Sequence, residues 1–577
     1  MRVKWGKRPL SRVAVALTAA AVAVSVSGAS CGDDDVTTTP ARIERPPPTF
    51  RLLVMTDIKG YLEPCGCTSR PLGGIDRTAA KVAELRAQGQ PVLLVAAGDL
   101  FFDGVSYDVH GAEAQEIWKA ETLVEVLDGI EVAAVTPGRL DFSHGTATFR
   151  ALAREASFPL LAAGVSIAPA TAGGAPEPEP APGTDREGET PGAEPDAPTA
   201  LPAHVIREVA GVRVGIFGVS DLAGPDGALP EGVERTAEMR AAARDAATAL
   251  RGDGAELLIA LVRGTRRDAR QIAQSVDGLA FVVQSGLDLE EAIPPFEVNG
   301  AWVLHAGRQG QGLVVVNVYR RGEGTFTDWS DWTRAEQRTH AEGRIRDLRA
   351  RIAEWEEDDS VPEADVERQR ARLAQMEREL ESLTVPRSVE GNAFAARYEA
   401  LPPEAPKSAE VSRLMQRHFR RVNQHNRQVF ADLTPPPLPE AQPGFAGSAA
   451  CRSCHEAEHA WWLTTKHGRA YATLVERHKQ FNLSCVGCHV TGYMDPGGAT
   501  VTHLGDSGVL RDVGCESCHG PSSLHVEDPE VGLLLDPPEG LCIECHNPEH
   551  SDTFNYTAYR AMMLAPGHGM PLPGETP

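Results

Sequence analysis

Four pentapeptides near the carboxyl end repeat one chemical pattern: Cys451-Arg-Ser-Cys454-His455, Cys485-Val-Gly-Cys488-His489, Cys515-Glu-Ser-Cys518-His519 and Cys542-Ile-Glu-Cys545-His546. Two thiols with two residues between them can add across the vinyl groups of one porphyrin. The histidine that follows is then placed to bind the iron from below. Zinc ribbons and disulfides use the same residue types, but neither needs a histidine directly after the second cysteine in every copy. The pattern reads as four c-type haem attachment sites, with iron ligated by His455, His489, His519 and His546.

The chain has 11 cysteines. Eight sit in these motifs; Cys31 and the pair Cys65-Gly66-Cys67 complete the set, so none is left for a disulfide framework. Haem of this kind is attached outside the cytoplasm, and the amino terminus agrees. Arg2, Lys4, Lys7, Arg8 and Arg12 precede a small-residue apolar run from Val13 to Val26, shorter than the ~20 residues of a spanning helix. Gly28-Ala29-Ser30-Cys31 resembles a bacterial lipobox, with glycine where leucine is typical. It implies a signal peptide over 1–30 and a lipid anchor on Cys31, followed by a solvated tether over 31–49. An ordinary cleaved signal and an uncleaved anchor are the alternatives. A formal net charge of −24 argues against nucleic acid, which calls for a basic face. It suits a redox partner protein carrying positive charge, or solubility alone.

The elements that position this chemistry follow from hydrophobic spacing. From residue 50 to about 332, short apolar runs alternate with amphipathic segments. The runs Arg51–Thr56, Pro91–Ala97, Val132–Thr136, Leu257–Leu261 and Leu279–Val283 predict strands. Asp76–Gln88, Glu113–Leu127 and Thr236–Arg251 predict helices, so the class is a layered α/β domain. Val205–Val219 predicts a hairpin turning at Gly211. Residues 169–203, rich in Pro, Ala, Gly and Glu, carry no apolar periodicity and predict a disordered insert. Residues 333–385 carry heptad-spaced Ile345, Leu348, Ile352 and Trp355, then Val366, Leu373, Met376, Leu380 and Leu383. They predict a helical coiled-coil hairpin, with Ser360-Val-Pro-Glu363 as the capping box of its second helix. Residues 386–432 continue the α/β region with a helix over Ser408–Phe430. A Pro-rich linker spans 433–446, and 447–577 is the tetrahaem domain, mainly α and loop-rich.

One region is similar to a known family. Leu53-Val-Met-Thr-Asp57-Ile-Lys59-Gly60-Tyr-Leu-Glu63-Pro64, Gly73-Gly74, Ala97-Gly98-Asp99, Thr136-Pro-Gly138-Arg139-Leu140-Asp141-Phe142 and Ala306-Gly307-Arg308-Gln309-Gly310-Gln311-Gly312 resemble, in this order, the calcineurin-like metallophosphoesterases of the 5′-nucleotidase branch. The resemblance implies an α/β sandwich with two metals at the strand ends that activate water for attack on phosphorus. It also implies that the ligand set is broken. Asp57 and Asp99 match metal-binding aspartates, but Lys59 replaces a histidine, and Arg139-Leu140 replaces an Asn-His pair. Arg263, Gly286 and Asp288 stand where further histidines are expected. Lys59 and Arg139 are expected to pair with Asp57 and Asp99, and ordinary nucleotidase activity is not expected. Cys65 and Cys67, with Asp57 or Asp99, are an alternative metal or redox site, because thiolates suit soft metals and a disulfide at this spacing is strained. Two ordinary thiols or that strained disulfide are the competing readings.

The last segment is similar to the tetrahaem cytochrome c of ammonia-oxidising bacteria and its multihaem relatives. The residues that carry this are the four motifs with Trp462-x4-His467, His489-Val-Thr-Gly-Tyr493, His519-Gly-Pro521-x3-His525 and Asn547-Pro-Glu-His550-Ser551. The resemblance implies closely stacked haem pairs and distal ligands His467, His525, His550 and His568. His459 is the substitute, while His478 and His503 are read as ordinary polar histidines. Two histidines per iron suit electron transfer, whereas an open position would bind a small molecule.

The leading expectation is therefore a lipid-anchored or secreted periplasmic electron carrier, with a non-hydrolytic phosphoesterase-like domain as scaffold, docking surface or altered metal site. Its competitors are a haem oxidoreductase acting on a small nitrogen or sulfur compound, a divergent metal-dependent phosphoesterase, and a non-cleaving nucleotide-binding protein.

Overall fold

Runs such as Leu52-Leu53-Val54-Met55 and Leu257-Leu258-Ile259-Ala260-Leu261-Val262 have no polar face, so a strand built from them must be covered on both sides. The computed structural model, which describes residues 45–64, 71–105, 111–168, 199–287, 289, 291–358, 360–383, 388–547, 550, 551 and 553–563, does this with two stacked sheets. The first contains β1 (Phe50–Thr56), β2 (Val92–Gly98) and β3 (Val132–Pro137). The second contains β4 (His204–Val209), β5 (Val212–Ser220), β6 (Leu257–Arg263), β7 (Leu279–Ser285), β8 (Ile293–Val298) and β9 (Ala301–His305). The chain then returns to the first sheet through β10 (Gly312–Tyr319), β11 (Thr327–Asp328) and β12 (Ala393–Ala400). The strand orders are β11-β12-β10-β1-β2-β3 and β8-β9-β7-β6-β5-β4.

Side-chain alternation sorts the layers. Leu52 and Val54 point between the sheets, meeting Ile216, Ile259, Leu261 and Phe281. Leu53 and Met55 point the other way, into helices α1 (Ile75–Ala87), α2 (Glu113–Gly129) and α3 (Gly145–Glu155). The outer face of the second sheet is covered by α4 (Met239–Gly252) and α5 (Arg266–Ser275). The result is an α/β/β/α sandwich. Within it β1, β2 and β3 are parallel, as are β5, β6, β7 and β9. Their carboxyl ends therefore collect the loops where chemistry gathers in such sheets.

The hairpin of β4 and β5 turns through Ala210 and Gly211, both at positive φ (54° and 74°), as a two-residue turn of the primed type demands. Residues 333–385 fall largely on two helices, α6 (Asp331–Glu357) and α7 (Glu363–Ser382), sealed by Leu348, Ile352 and Val366 with Trp355, Leu373 and Met376 beside them. The expected capping box does not form. Pro362 is the residue preceding α7, and the Ser360 hydroxyl donates to Asp358 (2.6 Å) instead. The insert expected over 169–203 ends earlier than its composition predicts. Thr199–Ala200 pairs with Val165–Ile167 as an antiparallel ladder, and Leu201 N donates to the Val165 carbonyl (3.0 Å). Residues 169–198 lie outside the described residues, as do the signal, the lipobox at Cys31 and most of the tether.

Helix α8 (Ala409–Val429), capped by Ser408, packs its Val411, Leu414 and Met415 against the α1 and α2 layer. The Pro-rich stretch then runs along the haem-motif segment. Gly497 N donates to the Pro436 carbonyl (3.0 Å), and the Thr500 hydroxyl donates to that of Leu433 (2.9 Å). The segment itself is built of helices of seven residues or fewer joined by turns, for example Glu456–Trp462, Ala470–Glu476 and Tyr556–Met562. Pro47–Pro577 is one contact unit. No helix among the described residues is long and apolar enough to cross a membrane.

Candidate haem sites and the strand-end cleft

Short helices place each haem-motif histidine. Asn482 caps Leu483–Val486 through Ser484 N, which fixes Cys485, while Ala470–Glu476 begins with the carbonyl that receives His489 Nδ1 at 2.6 Å. Four other ring nitrogens also have partners, three of them carbonyl oxygens and one a hydroxyl. His519 Nδ1 meets the Leu534 carbonyl (2.7 Å), His525 Nδ1 that of Val531 (2.8 Å), His546 Nδ1 the Ser551 hydroxyl (3.1 Å) and His550 Nδ1 the Asn547 side-chain oxygen (2.8 Å). A carbonyl partner makes Nδ1 the protonated nitrogen and leaves Nε2 as the metal donor, the usual outer-shell arrangement of ligating histidine. Burial also holds His467, His489 and His546 below the ordinary histidine pKa, towards the neutral form that binds metal.

Pairing of the rings carries the fit test. A metal–imidazole bond is ~2 Å long, so two imidazoles on opposite sides of one ion have ring centres about 6 Å apart. His455 and His525 face each other at 6.5 Å, and His467 and His546 at 6.1 Å. Each pair joins a motif histidine to a distal candidate from elsewhere in the segment. His550 lies within electrostatic range of His489, and His568 lies outside the described residues. His459 sits on Glu456–Trp462 with its ring 5.5 Å from that of Trp462. Thiols of different motifs lie close together: Cys451 with Cys515, and Cys488 with Cys545. The donor set fits covalently held haem.

The strand-end cleft is arranged otherwise. Asp57, at the end of β1 with φ 48°, is 1% exposed, and both carboxylate oxygens accept from Gly286 N at 3.1 and 2.9 Å. Burial pushes its pKa up to about 7, with Asp99 adding repulsion. Asp99 accepts from Leu140 N (2.8 Å) and faces Arg263 Nη2 at 3.6 Å. Asp141 is wholly buried and receives the backbone N–H groups of Leu100, Phe101 and Gly138. A Cβ at Gly98 or Gly138 would overlap the Asp57 or Asp99 carboxylate, so both glycines are required by close approach. Arg263 and Gly286 thus do stand beside the two aspartates.

The expected pairing is corrected in one respect. Among the described residues Arg139 forms no ion pair with either aspartate; its guanidinium lies over Gly224, where a Cβ would come within 3.0 Å of Nη2. Arg263, at the end of β6, takes Asp99 instead, and Lys59 acts on Asp57 through its charge. Among the described residues no three His, Cys, Asp or Glu side chains converge as a metal site. Cys65, Cys67 and Asp288 lie outside the described residues.

Comparison with known proteins follows this geometry. Residues 450–520 match the family model described as cytochrome c554 and c-prime. Cytochrome c-554 of Nitrosomonas europaea is 36% identical over 92 residues, covering 13% of this chain and 38% of that protein. The chain therefore spans well under half the length of that curated relative. Three solved structures are similar to the larger part of the chain. A 5′-nucleotidase precursor from Thermus thermophilus has TM-score 0.42 and 15% identity, covering 70% of this chain and 62% of that one. The Thermus thermophilus sulfate thiohydrolase SoxB has TM-score 0.41 and 12% identity, covering 72% and 69%. The calcineurin-like phosphoesterase YfkN from Bacillus subtilis has TM-score 0.40 and 16% identity, covering 64% and 97%. The haem-motif segment is thus similar to cytochrome c-554.

Sequence reasoning passed over several residues that build the c554-like segment. Glu516, between the two cysteines of the third motif, is 4% exposed and accepts from Ala446 N, Gly447 N, Ser522 N and the Ser522 hydroxyl at 2.6–2.9 Å. It staples the segment's entry to its third motif. Gln115 of α2 accepts from Leu483 N (3.0 Å) and Asn426 Nδ2 (3.0 Å), and donates to the Ser484 hydroxyl (3.2 Å). Nothing local in the sequence marks these residues; their partners are remote.

Proposed function

We propose that the chain is an exported electron-transfer protein that carries four c-type haems and exchanges electrons with other redox proteins. Two facing histidine pairs, in a segment where five histidine rings are held by a hydrogen bond at Nδ1, are the observation that carries this reading. Bound haem iron supplies the one-electron chemistry. His455 with His525, and His467 with His546, would each hold one iron between them and so would leave no place on it for water or a small molecule. The Val531 carbonyl at His525 Nδ1 raises the basicity of that ligand, and the Ser551 hydroxyl fixes the orientation of His546. The signal sequence and lipobox support a periplasmic, lipid-anchored location through Cys31, and the net charge of −24 supports a positively charged redox partner.

In the same reading the α/β body is a non-hydrolytic scaffold. Leucine at position 140 can neither bind a metal nor protonate a leaving group, and its N–H is spent on Asp99. Arg263 and the Gly286 N–H satisfy the carboxylates that would otherwise take metal.

Haem stoichiometry by pyridine haemochrome, with EPR on the same sample, tests the proposal. Four haems per chain, with the irons bound to His455–His525 and His467–His546 low-spin, is the expected result. Fewer than four haems would sink it. For the scaffold, metal analysis and a phosphodiester assay on the full chain should give no metal-dependent turnover.

A further inference from the structure

One buried ion pair joins the c554-like segment to the α/β body at the second haem motif. Lys479 lies three residues before Asn482, the cap of the short helix that holds Cys485. It is 9% exposed. Its ammonium pairs with Glu63 on the loop after β1 and stands 4.1 Å from the centre of the Phe419 ring on α8. Its backbone is fixed from both sides: Lys479 N donates to the Leu474 carbonyl and Asn482 N donates to that of Lys479, each at 2.9 Å. Cys485 is within electrostatic range of the ammonium. The neighbouring contacts are equally constrained, since Asn426 Nδ2 binds the Phe481 carbonyl (2.8 Å) and Phe481 N binds Asn423 (3.1 Å).

A surface salt bridge here would be unremarkable, because water and salt would screen it. Here the lysine is buried and the Glu63 carboxylate half-buried, so the two charges are screened less than a surface pair would be. Among the four motifs, the one whose cysteine lies within electrostatic range of Lys479 is the second, where Cys485 and Cys488 would hold a haem. Glu63 belongs to the same loop as Asp57, six positions further on. The pair therefore spans the distance between the strand-end cleft and the second haem motif.

We propose that Lys479 and Glu63 set the reduction potential of the haem held by Cys485 and Cys488, and that Glu63 makes this potential responsive to the loop running from Asp57 to Pro64. The inference rests on the four-haem reading above. Reduction places one electron on the iron, and neither side chain gains or loses an atom. The ammonium favours the added electron and the carboxylate opposes it. Displacing Glu63 leaves the positive charge uncompensated, and the potential rises.

A mediated potentiometric titration of the full-length holoprotein, followed optically and by EPR, tests this by sign. Lys479→Met should lower the potential of one haem by a threefold to tenfold change in its one-electron equilibrium constant, tenfold being about 59 mV. Glu63→Gln should raise the potential of the same haem by a similar factor. The double variant should return close to the parent, Lys479→Arg should stay there, and the other three haems should not move. A merely structural contact would shift both single variants in one direction, or several haems together, and either result overturns the inference. So does a full complement of haems with no shift in Glu63→Gln, a half-buried position whose variant should fold even if Lys479→Met does not. A parent protein with fewer than four haems would instead overturn the reading on which the inference rests.

Discussion

An imidazole ring held at Nδ1 cannot rotate away from its metal, and that constraint makes single histidines here separable in function. His525→Gly should leave one iron with a single axial ligand. The expected outcome is one new high-spin signal that binds carbon monoxide, with the remaining haems unchanged in EPR. A different histidine governs acid stability. His418 on α8 is buried beside Lys119 and Arg421, and burial, helped by these cations, lowers its pKa to about 4. The unfolded chain protonates this residue near 6.5, so between pH 6.5 and 4 the unfolded state binds more protons than the folded one. The stability it contributes is complete above pH 6.5 and is lost as pH falls towards 4, by about 3 kcal/mol in all. Melting curves across this window should flatten in His418→Phe. At this scale the four Cys-x-x-Cys-His motifs stand out because covalent attachment of a haem would fix their spacing. The His455–His525 and His467–His546 pairings were not, because the partners approach from separate turns of chain. The resemblance could offer distal candidates only as a set.

Strands and helices were legible where burial is two-sided or periodic. β1, β2, β3, β6 and β7 all fall within two residues of their predicted limits, since continuous apolar runs have few alternatives. The second helix of the hairpin was also found, but its start was misjudged. Ser360 prefers the nearer Asp358 carboxylate, a local competition that a motif pattern does not weigh. What escaped entirely was the joint between α2, α8 and the second haem motif. Asn426 is fully buried and donates to both Gln115 and the Phe481 carbonyl. Asn426→Leu strands the Phe481 carbonyl and leaves Gln115 with Leu483 N as its remaining donor, and should cost about 2 kcal/mol in chemical denaturation. Because the same node positions Leu483 N at the start of the Cys485 helix, the variant should also lower haem occupancy at the second motif alone, read by mass spectrometry of haem peptides.

For the molecule as a whole, composition predicted the broad class and left the arrangement open. A net charge of −24 should speed encounter with a basic redox partner at low ionic strength. Stopped-flow reduction by a cationic cytochrome should slow by about tenfold or more between low and physiological salt, whereas an anionic partner should show the reverse trend. The departures of Lys59, Arg139 and Leu140 from the phosphoesterase pattern were readable, but the identity of the cation that meets Asp99 was not. Which of several arginines reaches it depends on where β6 ends relative to β2, and that is set by packing between the sheets.

The placement of β1 has a consequence for how the protein is made. It lies between β2, which follows at once in the chain, and β10, whose far end meets it across 271 positions at the Thr49–Arg320 contact. At ~5–20 residues per second, synthesis takes roughly 14 to 54 s to supply that partner. Throughout this interval the emerging strand offers a row of unsatisfied amides and carbonyls to any other extended chain. A nascent protein of this design has to be kept from pairing wrongly until its own middle third arrives.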